Sequence, residues 1–353
     1  MVSSMLGRGR EDQQEIEAAE VEHVGGTVHH EDPSMTALPS SVLVTGCGGF
    51  IGGRTARLLL DVGVQVVGID CLLPHLYPAQ DKARRVASLS TVPGFTFHEL
   101  DLRHDDLSAA VGTTEVVLHF AAMAGLRPSW SDPALYASHN VSGTERLLDA
   151  MEAAGAASHL VHASTSSVYG TRAVGDESTV LDPASPYGET KLEAERLVAD
   201  RVTAGAITAT VLRYFSVYGP DQRPDMAYAA VIRAILAGEE IRIFGDGSQR
   251  RSNTFVDDAA RAAILAGGIQ PDATLNIAGR QSIALIDAIG HLEQALGRQA
   301  TLTFLPAVPG DQTETQGDAS LAGELLGWTP EIDILDGLCL QAAAALDRRE
   351  GSS

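Results

Sequence analysis

The stretch TGCGGFIGG, residues 45–53, constrains this chain more than any other, because its glycines at 46, 49 and 52 sit between an apolar run, SVLVTG, and a helix-patterned one, RTARLLLDVG. Glycines at such a junction let the backbone turn sharply from strand to helix and let the two elements pack closely. The helix start then presents unpaired N–H groups and a partial positive charge, a fit for phosphate. A strand–glycine turn–helix unit of this kind belongs to parallel sheets with helical crossovers.

The rest of the chain keeps that rhythm. SVLVTG (41–46), VQVVGID (64–70), FTFHELDL (95–102), EVVLHFAA (115–122), HLVHAST (159–165) and TATVLRYF (208–215) read as strands. Between them RTARLLLDVG, PALYASHNVSGTERLLDAMEAAG and YGETKLEAERLVAD have helical spacing. Near-continuous apolar strands alternating with helices imply a parallel sheet covered on both faces, an α/β doubly wound (Rossmann) fold over residues 41–215. After 215 the loops GPDQRPD, FGDGSQRR and LPAVPGD break the rhythm. Residues 216–345 are therefore expected to form mainly a smaller substrate-binding lobe, with some elements returning to the first domain and a tail at 346–353. Residues 1–40 are rich in Glu and Asp and poor in large apolar side chains, so they read as a disordered acidic tail, with His29 and His30 as solvated residues in it.

Within that fold, Gly46, Gly49 and Gly52, with Phe50 and Ile51 between them, form the expected dinucleotide loop. Asp70 ends the second strand about 20 residues on, where a carboxylate accepts hydrogen bonds from the adenine ribose hydroxyls. The same charge repels a 2′-phosphate, so NAD is expected rather than NADP. Asp101 and Leu102, ending the third strand, are expected near the adenine edge.

Charge and composition exclude several alternatives. Acidic residues number 46 against 25 basic, a net charge of −21, which argues against a nucleic-acid surface. An anionic ligand then requires a local basic pocket. Cys47, Cys71 and Cys339 form neither a metal-type pairing nor a disulfide framework, no metal site is expected, and a cytoplasmic setting is the simplest. No apolar run has the length of a membrane span, and no leader pattern stands at the N-terminus.

Two further stretches carry chemistry. SPYGETK (185–191) sets Tyr187 and Lys191 one helical turn apart on one face. Alone this is an ordinary amphipathic pair; beside a dinucleotide loop, a lysine ammonium and a positively charged nicotinamide ring would lower the phenol's pKa and make tyrosine a usable base. STSSVYG (164–170) brings Ser164, Thr165, Ser166 and Ser167 to a strand end with no carboxylate or imidazole among them. Hydroxyls hydrogen-bond an anion well but do no general acid–base work near neutral pH.

The motifs GCGGFIG, HFAA, STSSVYG, YGETK, RYFSVYGP and RRSNTFVDD together resemble the extended short-chain dehydrogenase/reductase superfamily, in particular its NAD-dependent sugar-nucleotide epimerases and dehydratases, over residues 41–345. AAMAGLRPS, RPDMA and SVYGP are most similar to the UDP-glucuronate 4-epimerases. The resemblance implies a catalytic trio of Thr165, Tyr187 and Lys191, cofactor contacts from Ala121, Ala122, Asn140 and Tyr214, and interconversion of UDP-glucuronate and UDP-galacturonate through a 4-keto sugar. Dehydratases of the superfamily carry an Asp–Glu pair after the threonine, and decarboxylases a glutamate at the place of Ser167; this chain has serines. Thr165, Ser166, Ser167 and Ser216 are implied to grip the sugar carboxylate, Arg223 and Arg127 to line the sugar pocket, Arg251 to meet the pyrophosphate and Asp311 the uridine ribose. His119 and His162 read as core residues. A 4-epimerase of neutral UDP-hexoses or N-acetylhexosamines, and a non-enzymatic NAD-binding regulator, remain as alternatives, and a homodimer through the helices near 132–155 and 187–204 is expected.

Overall fold

The structure, a computed structural model, describes residues 38–76, 78–112, 114–155, 158–306 and 314–350. The acidic N-terminal stretch up to residue 37, with His29 and His30, and Asp311 lie outside the described residues. The strands read from sequence form as β1 (Ser41–Thr45), β2 (Gln65–Asp70), β3 (Phe95–Glu99), β4 (Val116–His119), β5 (His159–Thr165) and, beyond a short β6 (Arg172–Gly175) that joins another sheet, β7 (Thr208–Tyr214). Strand Ala273–Ile277 returns from late in the chain to pair with β7. The order 3-2-1-4-5-7 followed by Ala273–Ile277 is parallel throughout.

Side-chain alternation explains why both faces are covered. Val42 and Val44 of β1 enter one hydrophobic core and Leu43 the other; Val116 and Leu118 of β4 part from Val117, and Val161 of β5 from Leu160, in the same way. The first core lies under helix α1 (Phe50–Asp61) and helix Val256–Ile269, which pack on each other. The second lies under helices Gly143–Ala154 and Pro186–Thr203. Leu43, Val44, Val116 and Val117 are wholly buried, and each such side chain contributes about 1.5–3 kcal/mol.

Strand order reverses between β1 and β4, so their carboxyl ends splay into a crevice, the place where open α/β sheets bind ligands. The later residues add a four-stranded sheet, Ser282–Ala284, Arg250–Ser252, Glu314–Gly317 and β6, and the parallel pair Glu240–Phe244 and Thr301–Leu305. The lobe therefore borrows β6 from the first half of the chain, as the sheet borrows Ala273–Ile277 and helix Val256–Ile269 from the second. The last helix, Ile334–Glu350, runs through residues assigned from sequence to a tail, because Leu338 and Ala342 on its buried face anchor it to the first core. No helix among the described residues is long and apolar enough to cross a membrane.

Candidate active site

A cleft of about 490 Å³ opens at the carboxyl ends of the strands. At one end, Gly46 has φ +73°, and a Cβ there would come within 2.8 Å of the Ala121 nitrogen; a Cβ on Gly52 would stand 2.4 Å from the Gly46 carbonyl oxygen. Any side chain at either position closes the turn. Gly49 caps α1 without a side-chain hydrogen bond, so the first-turn N–H groups remain for a ligand. Asp70, almost wholly buried, accepts from the Gly48 amide (3.1 Å) and the Leu72 amide (2.8 Å), with Lys82 Nζ 3.7 Å away. These residues fit a dinucleotide: a bare turn for the pyrophosphate, a helix N-terminus, and a fixed carboxylate for a ribose. Asp101 also lines the cleft, but Arg103 binds both its oxygens and holds its carboxyl down at about 2. Its charge is already shared.

The middle of the cleft is set by helix Pro186–Thr203. Ser185 accepts from the Gly188 amide (3.1 Å) as N-cap and Pro186 fills the first turn, which starts the helix one residue before Tyr187. Tyr187 faces the cleft with its ring 6.2 Å from that of Tyr136, edge to face. Burial pushes the phenol up, while hydrogen bonding with Thr165 and the Arg223 charge pull it back. Net, it is protonated at neutral pH. Lys191, 2% exposed, is held down at about 8 by burial, against the pull of Glu195. Its ammonium bonds His162 Nε2 at 3.2 Å.

At the other end stand the hydroxyls. β5 gives way at Thr165 to a 3₁₀ turn, Ser166–Tyr169, because Thr165 Oγ1 accepts from the Ser167 amide (3.1 Å) while donating to Ser167 Oγ (3.2 Å). Thr165, Ser166, Ser167 and Ser216 all line the cleft. Ser164 does different work: its hydroxyl donates to Glu195, which Arg213 clamps through both oxygens. Arg223 lines the cleft and is gripped by Asp225 through two bonds of 3.0 and 2.9 Å. Arg127 lies over the Phe244 ring, 4.9 Å from its centre, tying the β4 loop to the lobe.

Of the residues singled out from sequence, the glycine loop with Phe50 and Ile51, Asp70, Asp101, Leu102, Ala121, Ala122, Tyr214, Thr165, Ser166, Ser167, Ser216, Tyr187, Lys191, Arg223 and Arg127 share this one cleft. Asn140 does not join the lysine's hydrogen bonds. Its side chain grips the Met123 backbone from both sides (2.7 and 2.9 Å) and bonds Thr190 (3.0 Å), from a π-helical stretch, Ser138–Ser142, that widens the turn around it. Arg251 stands on strand Arg250–Ser252, outside the residues lining the cleft, its guanidinium donating to the Arg250 carbonyl. His162 is more than core filling, and Tyr136, Asp225 and Lys82 were not read from sequence. Alternation did contain the signal for His162: it shares a face of β5 with Ser164, opposite the helix face that carries Lys191 and Glu195.

A model of the NAD dependent epimerase/dehydratase family matches residues 42–278, and the chain belongs to that family. An uncharacterized UDP-glucose epimerase of Bacillus subtilis is 37% identical over 309 residues, 86% of this chain and 96% of that protein. A UDP-glucuronate 4-epimerase of Thermodesulfobacterium geofontis is 36% identical over 302 residues, 84% of this chain and 93% of its own length. The crystal structure of UDP-glucuronic acid 4-epimerase from Bacillus cereus, in complex with UDP-glucuronic acid and NAD, is 37% identical with a TM-score of 0.83, covering 87% of this chain and 99% of that one.

Proposed function

We propose that this member of the NAD-dependent epimerase/dehydratase family interconverts UDP-glucuronate and UDP-galacturonate by epimerisation at C4. The observation that carries the reading is the cluster of hydroxyls in the cleft, Thr165, Ser166, Ser167 and Ser216, with no acid at 166 or 167 and with Arg223 lining the same cleft. The relatives that act on UDP-glucuronate support it.

NAD, when bound, supplies reversible oxidation and reduction at the sugar C4. Tyr187, ionised when the charges of the Lys191 ammonium and of the bound nicotinamide lower its pKa, would take the proton of the C4 hydroxyl on its phenolate oxygen and return it at the end of the cycle, so no proton is gained or lost overall. Its raised pKa makes help necessary: Thr165 shares the reacting oxygen, and the Arg223 charge stabilises the phenolate. A 4-keto uronate is a β-keto acid that releases CO2 when its carboxylate bond aligns with the ketone π system. Hydroxyls and a guanidinium around that carboxylate keep its charge in place and its bond out of alignment. With serines at 166 and 167 in place of acids, those two positions supply no general acid or base for elimination. Arg251, Asp311 and Asn140 are retained as nucleotide-side and cofactor-side contacts in this reading, Asn140 acting through Met123 and Thr190.

A second copy of the chain is proposed to pack against helices Gly143–Ala154 and Pro186–Thr203. These lie side by side on one face, with Trp130, 65% exposed, just before the segment leading into them. Light scattering at micromolar protein should give twice the chain mass; a monomer ends this part of the proposal.

The substrate is tested by incubating the purified protein with UDP-glucuronate, UDP-galacturonate, UDP-glucose and UDP-N-acetylglucosamine and following products by NMR. UDP-galacturonate should form from UDP-glucuronate and the reverse. Faster turnover of UDP-glucose would replace the uronate reading with a neutral-hexose epimerase.

A further inference from the structure

Beneath the tyrosine–lysine helix runs a set of buried polar groups that the proposed cycle does not use. β4 and β5 bring His119 and His162 side by side in register, ring centres 5.3 Å apart and both rings within the core. His119 is fully occupied. The Ala121 amide donates to Thr45 Oγ1 (3.2 Å), which turns that hydroxyl's proton towards His119 Nδ1 (2.7 Å). Nε2 then donates to Thr144 Oγ1 (3.0 Å), whose own proton goes to the Asn140 carbonyl (2.7 Å). The chain of donors fixes His119 as a neutral ring protonated on Nε2.

His162 is bonded on one side only. Its Nε2 stands 3.2 Å from Lys191 Nζ, and its Nδ1, equally buried, has no hydrogen-bond partner among the described residues. An ammonium donates and never accepts, so Nε2 is the acceptor and the ring proton sits on the unpaired Nδ1. Buried polar atoms are rarely left so, and an apolar side chain would fill the space without that cost. The bond to the lysine is what the imidazole provides there.

We infer that His162 is a positioning residue for Lys191: its neutral Nε2 accepts a hydrogen bond from one ammonium N–H, fixes the nitrogen beneath the cleft, and leaves the other two N–H bonds for Tyr187 and the cofactor side. This rests on the assignment of Lys191 to the reaction proposed above. The groups facing the lysine are few. Tyr187 and Glu195 stand one turn before and after it on its own helix; His162 comes from β5 and His119 from β4. Arg213 of β7 and Ser164 of β5 are bound to Glu195. Burial, Lys191 and His119 keep His162 far below its ordinary value, so it remains an acceptor throughout the neutral range.

The composition offers a direct test, because the chain contains only two lysines, Lys82 and Lys191. Labelling the holoenzyme with ε-¹³C lysine gives two resonances, assigned with Lys82→Arg. Lys191 should titrate near 8 in the parent. In His162→Phe it should titrate about one unit lower, having lost its acceptor, with Lys82 unmoved. His162→Gln, whose carboxamide oxygen can accept, should return it towards the parent value. The alkaline limb of kcat should move with the lysine while KM stays nearly constant. An unmoved Lys191 in His162→Phe overturns the inference. So does ¹⁵N evidence, in the parent itself, that His162 carries its proton on Nε2, a reading that needs no variant to fold. Both readouts stand whichever sugar is turned over, so they are independent of the substrate assignment.

Discussion

The two ends of the cleft are built from different materials. The cofactor end is mostly backbone: a turn that a single Cβ would close, a helix start with no side-chain cap, and one carboxylate, Asp70, pinned by two amides. The end proposed to hold the sugar is mostly side chain: four hydroxyls, and an arginine aimed by Asp225. A backbone cradle suits a ligand common to a whole family. Side chains can be exchanged one at a time, and specificity belongs to them.

That contrast breaks most visibly at the junction of the two ends. Tyr187→Phe removes the group that moves the proton and should lower kcat by about 10²–10⁴-fold. Binding of NAD and UDP-sugar, followed by calorimetry, should change little; a loss of binding comparable to the loss of rate would mean that the tyrosine builds the site rather than acting in it. At the cofactor end, the parent should purify with NAD(H) bound, and Asp70→Ala should weaken its retention by roughly 10–100-fold, the worth of hydrogen bonds to a charged group. Unaltered affinity for UDP-glucuronate in that variant would keep the two ends separate.

Smaller effects test the sugar end and the lysine. Ser216→Ala should weaken UDP-glucuronate binding by roughly 1–3 kcal/mol, the cost of leaving an anionic oxygen short of a donor, and should release a detectable 4-keto-pentose product. The lysine gives the smallest effect, on stability. Lys191 is protonated in the unfolded chain up to about 10.5 and in the folded one only to about 8. Between these values the unfolded state holds more protons, so the penalty for burying the ammonium is complete below pH 8 and is relieved as pH rises towards 10.5. Lys191→Met should therefore melt higher than the parent at pH 7, and the gap should narrow between pH 8 and 10. A constant gap would show that the lysine is not buried as a charge.

The same difference in materials explains how much of the protein was legible in its sequence. Strand cores and the glycine turn follow from local rules, period-two alternation and positive φ, and β1 to β5 stand close to where the apolar runs put them. Swapped elements are not local. Nothing in RAVG at 172–175 says that it pairs with Glu314–Gly317, some 140 residues later. In the site, Tyr187 and Lys191 announce themselves by helical spacing, and the hydroxyls by crowding. Asn140 could be located but not interpreted, since its partners Met123 and Thr190 come from two other segments. His162 looked like core because its one partner lies across a strand-to-helix packing, although the pairings of 162 with 191 and of 164 with 195 repeat one register on both elements.

The central claim is that the hydroxyl end is built for a carboxylate. It is tested most directly by the ratio of kcat/KM for UDP-glucuronate to that for UDP-glucose, measured in the parent and in the Ser167→Ala/Ser216→Ala double variant. A carboxylate grip predicts a parent ratio well above one that falls at least about tenfold in the variant, through loss on UDP-glucuronate alone. A parent that prefers UDP-glucose, or a ratio unmoved by removing both hydroxyls, would contradict it.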